Sequence, residues 1–320
     1  MSKAIAIAGL AKSYEGKPAL RNIGFEVREG SCFGLLGPNG AGKSTTMKIL
    51  SGLLDPDRGD VRVMGKELRR NAAEIREKIG YVPQSITLYE KLSAYDNLVF
   101  FGEMYGIRGG ELKRRIADVL GRVGLADRAK DAVSSFSGGM KRRVNIAAAL
   151  LHRPRVLIMD EPTVGIDPQS RNHIFEMIRS LQKEGVTVLY STHYMEEVES
   201  LCDELAIIDH GEVIASGGLG EVLDRFGSQA VYLELNGPQE SQEQAQGQEQ
   251  EQEPPAPAGF DRPERKDRGW IVRTNSPLEA IAAWAEACKA KSLPVKQLEI
   301  VRPSLETVFL SLTGTTLRDT

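Results

Sequence analysis

The stretch Gly37-Pro38-Asn39-Gly40-Ala41-Gly42-Lys43-Ser44-Thr45 decides how this chain is to be read. It matches GxxxxGK[ST], follows the apolar run Cys32–Leu36, and leads into residues 45–50, whose pattern is helical. That order has a physical reason. Glycines let successive backbone N–H groups curl around a phosphate, and the helix N-terminus behind them adds partial positive charge. In such a loop Lys43 reaches the β- and γ-phosphates of a nucleotide, and the Ser44 hydroxyl ligates Mg²⁺. The plainer alternative is a glycine-rich turn that merely joins strand to helix. From average residue usage, a chance match arises in about one chain in a hundred of this length, before the strand–turn–helix setting is required.

Two further stretches lie downstream. Val156-Leu157-Ile158-Met159-Asp160-Glu161 is an apolar run that ends in two acids, and strands this apolar belong to parallel sheets covered on both faces. Its carboxyl end should lie beside the glycine loop, where ligands bind in such sheets. Asp160 is then placed to hold Mg²⁺, directly or through water, and Glu161 to polarise the attacking water. Alone, the acidic pair reads equally as a strand end where the chain turns at Pro162. Ahead of it, Ser135-Phe136-Ser137-Gly138-Gly139-Met140-Lys141-Arg142-Arg143 precedes a helical stretch over 144–151. Ser137 reads as an N-cap, and the glycines expose backbone N–H groups, which makes a second anion site without a lysine. In isolation it would be an ordinary capped helix with a flexible start.

Taken together, these stretches resemble the ATP-binding cassette (ABC) ATPases, a class of P-loop NTPases whose signature is usually Leu-Ser-Gly-Gly-Gln. Phe136 and Met140 depart from that signature but leave Ser137, Gly138 and Gly139 in place. The Phe-Ser-Gly-Gly-Met-Lys-Arg-Arg variant is similar to the branch that powers export of drugs, polysaccharides and lipids. The resemblance implies roles for more residues. Tyr14 matches the aromatic that stacks on adenine, although alone it would be an ordinary strand tyrosine. Gln84, in Tyr81-Val82-Pro83-Gln84, matches the glutamine that senses Mg²⁺ and the γ-phosphate. Asp167 stands in the D-loop place, where it is also a good helix start ahead of Pro168. His193, in Ser191-Thr192-His193, matches the switch histidine.

The resemblance further implies ATP and Mg²⁺ as ligands and a head-to-tail dimer with a second ABC ATPase copy. ATP would be sandwiched between the glycine loop of one copy and Ser137, Gly138 and Gly139 of the other. It implies a separate transmembrane permease and a place on the cytoplasmic face of the cell membrane. The surface expected to meet the permease is 86–106, with Leu88, Tyr89, Phe100, Phe101 and Tyr105, some of which must be plain helix packing. Import in place of export remains open at this point. So does a soluble ABC ATPase acting on DNA or ribosomes, although fewer than 100 residues separate Lys43 from Ser137, with no coiled coil between them.

Composition sets the outer bounds. The 320 residues are 41% hydrophobic and 27% charged with a formal net charge of −3, which offers no basic excess for nucleic acid. Nothing approaches the roughly 18 consecutive apolar residues of a membrane span, and the N-terminus lacks a signal-peptide pattern. Three cysteines, Cys32, Cys202 and Cys288, lie far apart in the sequence, against a disulfide framework or a clustered metal site.

The expected fold is a wound α/β core over 1–227, interrupted by a helical subdomain at about 85–152. A small α+β accessory domain follows over 228–320, reading β-β-α-β-α. Residues 238–258 hold seven glutamines, five glutamates and no basic residue, and should be disordered.

Overall fold

Alternating burial organises the start of the chain. The computed structural model describes residues 2–227, 229–236, 254–301 and 303–313. In β2 (Lys17–Arg28), Ile23, Phe25 and Val27 are buried while Asn22, Gly24 and Glu26 are exposed, the period of two that a half-covered strand needs. It pairs antiparallel with β1 (Lys3–Tyr14). After β3 (Cys32–Leu36) and α1 (Lys43–Leu50), β4 (Arg58–Val63) returns beside β1, and β5 (Lys66–Glu67) closes the order β2-β1-β4-β5. This antiparallel layer was not resolved by the α/β reading of residues 1–227, because its strands mix charged, polar and small residues, such as Lys3, Gly9, Asn22 and Glu26, at their exposed positions.

The second sheet is built from more apolar strands. Past α2 (Ala72–Arg76) come β6 (Ile79–Val82) and the helices α3 (Ala94–Met104), α4 (Gly109–Arg122) and α5 (Gly138–Leu150). There follow β7 (Val156–Asp160), α6 (Pro168–Lys183), β8 (Thr187–Thr192), α7 (Met195–Leu201), β9 (Glu204–Asp209) and β10 (Glu212–Gly218). The sheet order is β10-β9-β3-β8-β7-β6, parallel except at β10. Every residue of β3, β7 and β8 is buried, which explains the apolar runs at 32–36, 156–159 and 188–190. Met47, Ile49 and Leu50 of α1 share one core with Phe25 and Val61 of the antiparallel sheet and with Leu35, Ile158 and Leu189 of the parallel one. The helix that follows the glycine loop is thus clamped by both sheets.

Between β6 and β7 the regular elements of the described chain are all helical, apart from an isolated bridge between Ser93 and Ala132. α4 buries Leu112, Ile116, Val119 and Leu120, one stripe at helical spacing. α5 starts at Gly138, ahead of the 144 read from sequence, because Ser137 Oγ accepts from Met140 N at 3.3 Å and caps the glycine turn. No described helix is long and apolar enough to cross a membrane. Cys32 and Cys202, far apart in sequence, meet as free thiols with Sγ atoms 3.8 Å apart.

Two compact units divide the chain between Leu219 and Gly220. The second holds most of α8 (Leu219–Phe226), which had been expected to end the first domain. Ser311 Oγ donates to Phe226 O at 2.9 Å, tying the end of that helix to the last one. The unit continues with β11 (Ala230–Leu235), β12 (Glu264–Lys266), β13 (Gly269–Arg273), α9 (Pro277–Ala290), β14 (Val295–Val301) and α10 (Leu305–Thr313). Its sheet runs β12-β13-β11-β14, one short strand more than expected, and is antiparallel throughout.

Most of the segment expected to be disordered, 238–253, lies outside the described residues. Residues 254–258 are described, and here packing wins over composition. Pro254 and Pro257 are buried, and Trp284 Nε1 donates to Pro255 O at 2.9 Å. A buried indole N–H needs such a partner. Trp284 is 0% exposed at the centre of the unit's core, beside Val231, Leu233 and Val272. Trp284→Ala should therefore cost the second unit about 3–5 kcal/mol, seen as earlier thermal unfolding by circular dichroism. MgATP affinity, measured by titration of the same full-length protein, should change by no more than about twofold, as every phosphate-handling candidate belongs to the first unit.

Candidate active site

The glycine loop is forced by what surrounds it. A Cβ on Gly37 would fall 2.2 Å from the Ile208 carbonyl oxygen, and Gly42 holds φ at 107° with its Cβ position 2.5 Å from Leu20 Cδ2. Only glycine fits at both. Asn39 and Gly40 form the exposed tip, Pro38 is half-buried, and Ala41 is buried with its N–H donating to Pro38 O at 3.2 Å. Lys43, 4% exposed, turns Nζ back to Gly37 O at 2.7 Å and Pro38 O at 3.0 Å. Thr45 follows, half-buried, in the first turn of α1.

Parallel pairing brings the ends of β7 and β8 to this loop, with Asp160 opposite Ser191. Asp160 Oδ1 accepts from Ser191 Oγ at 2.8 Å and from Ser44 Oγ at 3.1 Å. Burial pushes its carboxyl above the ordinary range, and the two hydroxyls work against that shift. Glu161 turns the chain in the left-handed region at φ 45°, its N–H held by Ser191 Oγ at 3.0 Å. A non-glycine residue there is uncommon and concentrates at functional positions.

The Glu161 carboxylate gathers three partners from three segments. Lys43 Nζ lies 3.0 Å from Oε1, Gln84 Nε2 donates to Oε2 at 2.8 Å, and His193 Nδ1 is 3.6 Å from Oε1. So Lys43, Ser44, Gln84, Asp160, Glu161 and His193 converge, each on a contact with another member of the group.

Five of the residues singled out stand elsewhere. Ser137 and Gly138 are exposed at the head of α5, and Gly139 is buried against α6, where its Cβ would meet Ser170 Oγ at 2.1 Å. Tyr14 is half-exposed at the end of β1. Asp167 caps α6, accepting from Ser170 N at 2.9 Å, and these bonds hold its carboxyl below the usual range.

Sequence inspection passed over Arg142. It is 3% exposed, and its guanidinium donates from Nη1 to Pro83 O at 2.6 Å and from Nη2 to Gln84 O. It thereby clamps the Gln84 backbone to α5. In a run of Lys141-Arg142-Arg143, no sequence signal distinguishes the buried member.

Known proteins resemble this chain in sequence and in fold. A family model described as "ABC transporter" matches residues 20–164. The linearmycin resistance ATP-binding protein LnrL of Bacillus subtilis (strain 168) is 46% identical over 97% of this chain and 98% of its own length. The daunorubicin/doxorubicin resistance ATP-binding protein DrrA of Streptomyces peucetius is 37% identical over 98% and 93%. A solved structure of the ATP-binding subunit of an ABC transporter superposes with a TM-score of 0.63 at 33% identity, covering 70% of this chain and 93% of that one. With the phosphate loop, the paired acids and Gln84 gathered on one sheet end, and with relatives alike over nearly their whole length, the chain belongs to the ABC transporter family as an ATP-binding, ATP-hydrolysing protein.

Proposed function

We propose that this chain powers export through a separate membrane-spanning permease, working from the cytoplasmic face of the membrane as a head-to-tail pair. Each MgATP is held between residues 37–45 of one copy and Ser137, Gly138 and Gly139 of the other. The observation that carries the reading is the Glu161 carboxylate, met at once by Lys43, Gln84 and His193. Export is favoured because the relatives similar over the full chain are resistance and export proteins.

The chemistry follows from the side chains. A γ-phosphate entering the loop competes for Lys43 and draws Nζ away from Glu161, which frees that carboxylate to accept a proton from a water beside the phosphate. Gln84 and His193 hold the carboxylate and the phosphate edge in register. Ser44, Asp160 and Gln84 offer hard oxygens that fit Mg²⁺, and a divalent cation would offset the burial that raises the Asp160 carboxyl. When bound, the ion supplies charge neutralisation at the phosphate oxygens. Among the described residues no group of three His, Cys, Asp or Glu could cage a metal. That matches an ion held by one carboxylate, a hydroxyl, waters and phosphates.

Tyr89, Phe100 and Phe101 form an edge-to-face cluster with centroids 5.0 and 5.5 Å apart, and Tyr89 and Phe100 are 50% and 40% exposed. We assign this surface, with Met104 at 71% exposure, to the permease. Tyr105 instead stacks on His152 at 4.0 Å, so part of its role is internal packing. The test is transport in inverted membrane vesicles that carry the chain and its permease. MgATP should drive accumulation of a drug such as daunorubicin, and Tyr89→Glu with Phe100→Glu should abolish it while leaving ATP binding intact. ATP-driven accumulation in right-side-out vesicles instead would assign the chain to import.

A further inference from the structure

Behind the site lies a second buried carboxylate that the chemistry above does not use. Glu197, in the first turns of α7, is 2% exposed. Its Oε1 accepts from Thr163 Oγ1 at 2.8 Å, and its Oε2 accepts from Tyr190 Oη at 2.9 Å and from Thr192 Oγ1 at 2.8 Å. Arg171 Nε of α6 lies 3.7 Å from Oε1 and supplies a counter-charge. Thr163 and Tyr190 oxygens are 3.0 Å apart, but each has one proton and both protons are committed to the carboxylate.

The placement of these donors is what matters. Thr163 stands two residues after Glu161, beyond the left-handed turn. Thr192 stands immediately before His193, and its hydroxyl also accepts from Tyr194 N at 3.0 Å, so one oxygen grips the chain on both sides of the histidine. Burial and the facing Glu197 hold the Tyr190 phenol well above its ordinary range, which keeps it a donor.

We infer that Glu197 is a positioning residue that ties the segment after Glu161 to the segment around His193, so that base and switch histidine move as one body. The inference rests on the roles given to Glu161 and His193 above. Burying a carboxylate is costly unless its lone pairs are filled. Here three hydroxyls from two separate segments fill them, and Thr192 also accepts the Gly37 N–H at 3.4 Å through its own carbonyl oxygen. Apolar residues would pack this space without that cost, and would leave the His193 turn without its anchor.

Thr192→Val and Thr163→Val each remove one hydroxyl at nearly constant volume, and the matching serine variants restore it. Full-length protein is assayed for MgATP hydrolysis, MgATP affinity and thermal unfolding, with Glu161→Gln alongside. The valine variants should lose roughly ten- to a hundredfold in kcat through misplacement of the reacting groups, with KM and affinity nearly unchanged. The serine variants should recover most of that loss. Valine variants with full kcat but a lowered melting temperature, beside an inactive Glu161→Gln protein, would reduce Glu197 to a structural group. Equal impairment of serine and valine variants would do the same. A fully active Glu161→Gln protein would instead overturn the reading of the site on which the tie depends.

Discussion

Glu161→Gln should slow MgATP hydrolysis by roughly 10²- to 10⁴-fold, about 3–5 kcal/mol of barrier, while ATP still binds. The amide matches the carboxylate in shape and can still accept from Gln84, which now donates at 2.8 Å. What it loses is basicity toward water and the charge that faces Lys43 at 3.0 Å. With Glu161 neutral, Lys43 has no competing carboxylate, so affinity for the triphosphate should hold or rise. A protein that binds ATP but does not split it accumulates in whichever state ATP favours. In the sandwich reading that state is the dimer, so Glu161→Gln should dimerise in MgATP. Adding Ser137→Arg places bulk at the exposed head of α5, far along the chain from the phosphate loop, and should abolish the dimer without abolishing binding. Size-exclusion chromatography with light scattering reads both results. A Glu161→Gln protein that binds ATP tightly yet stays monomeric at high concentration, alone and with the permease, would count against the sandwich.

The second large effect is expected from Lys43→Ala. Truncating one partner of a buried charged contact costs about 2–5 kcal/mol, so MgATP affinity should fall by roughly 30- to several-thousandfold. The protein itself should suffer too. Lys43 and Glu161 are 4% and 6% exposed at their side chains, and removing the cation strands the carboxylate. Breaking such a pair typically destabilises by about 3–5 kcal/mol, whereas removing both charges is far milder. Lys43→Ala with Glu161→Gln should therefore melt at a higher temperature than Lys43→Ala alone, although it too is inactive. Differential scanning calorimetry on the four members of this cycle decides it. If the double variant melts below Lys43→Ala, the buried pair is not what holds Glu161 in place.

What was legible in the sequence was contiguous in the chain. The glycine loop reads directly because its glycines, Lys43 and Ser44 act within one turn of backbone. The strands Cys32–Leu36 and Val156–Asp160 read directly because full burial on both faces demands unbroken apolar residues. The same local logic gave the β-β-α-β-α order over 228–320, short of one strand, since each element carries its own period. Gln84 and His193 needed a family resemblance, for nothing in Pro83-Gln84 or Thr192-His193 by itself announces a phosphate.

Only the tertiary structure decided which distant segments share a contact. The antiparallel sheet escaped because half-exposed strands that mix charged, polar and small residues look like loops until a partner strand covers one face. Arg142 was indistinguishable from Arg143 until burial placed it on the carbonyls of Pro83 and Gln84. Glu197, a glutamate in the run Glu196-Glu197, became a buried acceptor only because α7 folds back onto the end of β8. Local order needs only neighbours in the chain. Which charge is buried, and with what partner, depends on residues up to more than a hundred positions apart, such as Lys43 and Glu161, and those distances are closed by the packing of the two sheets and nothing nearer in sequence.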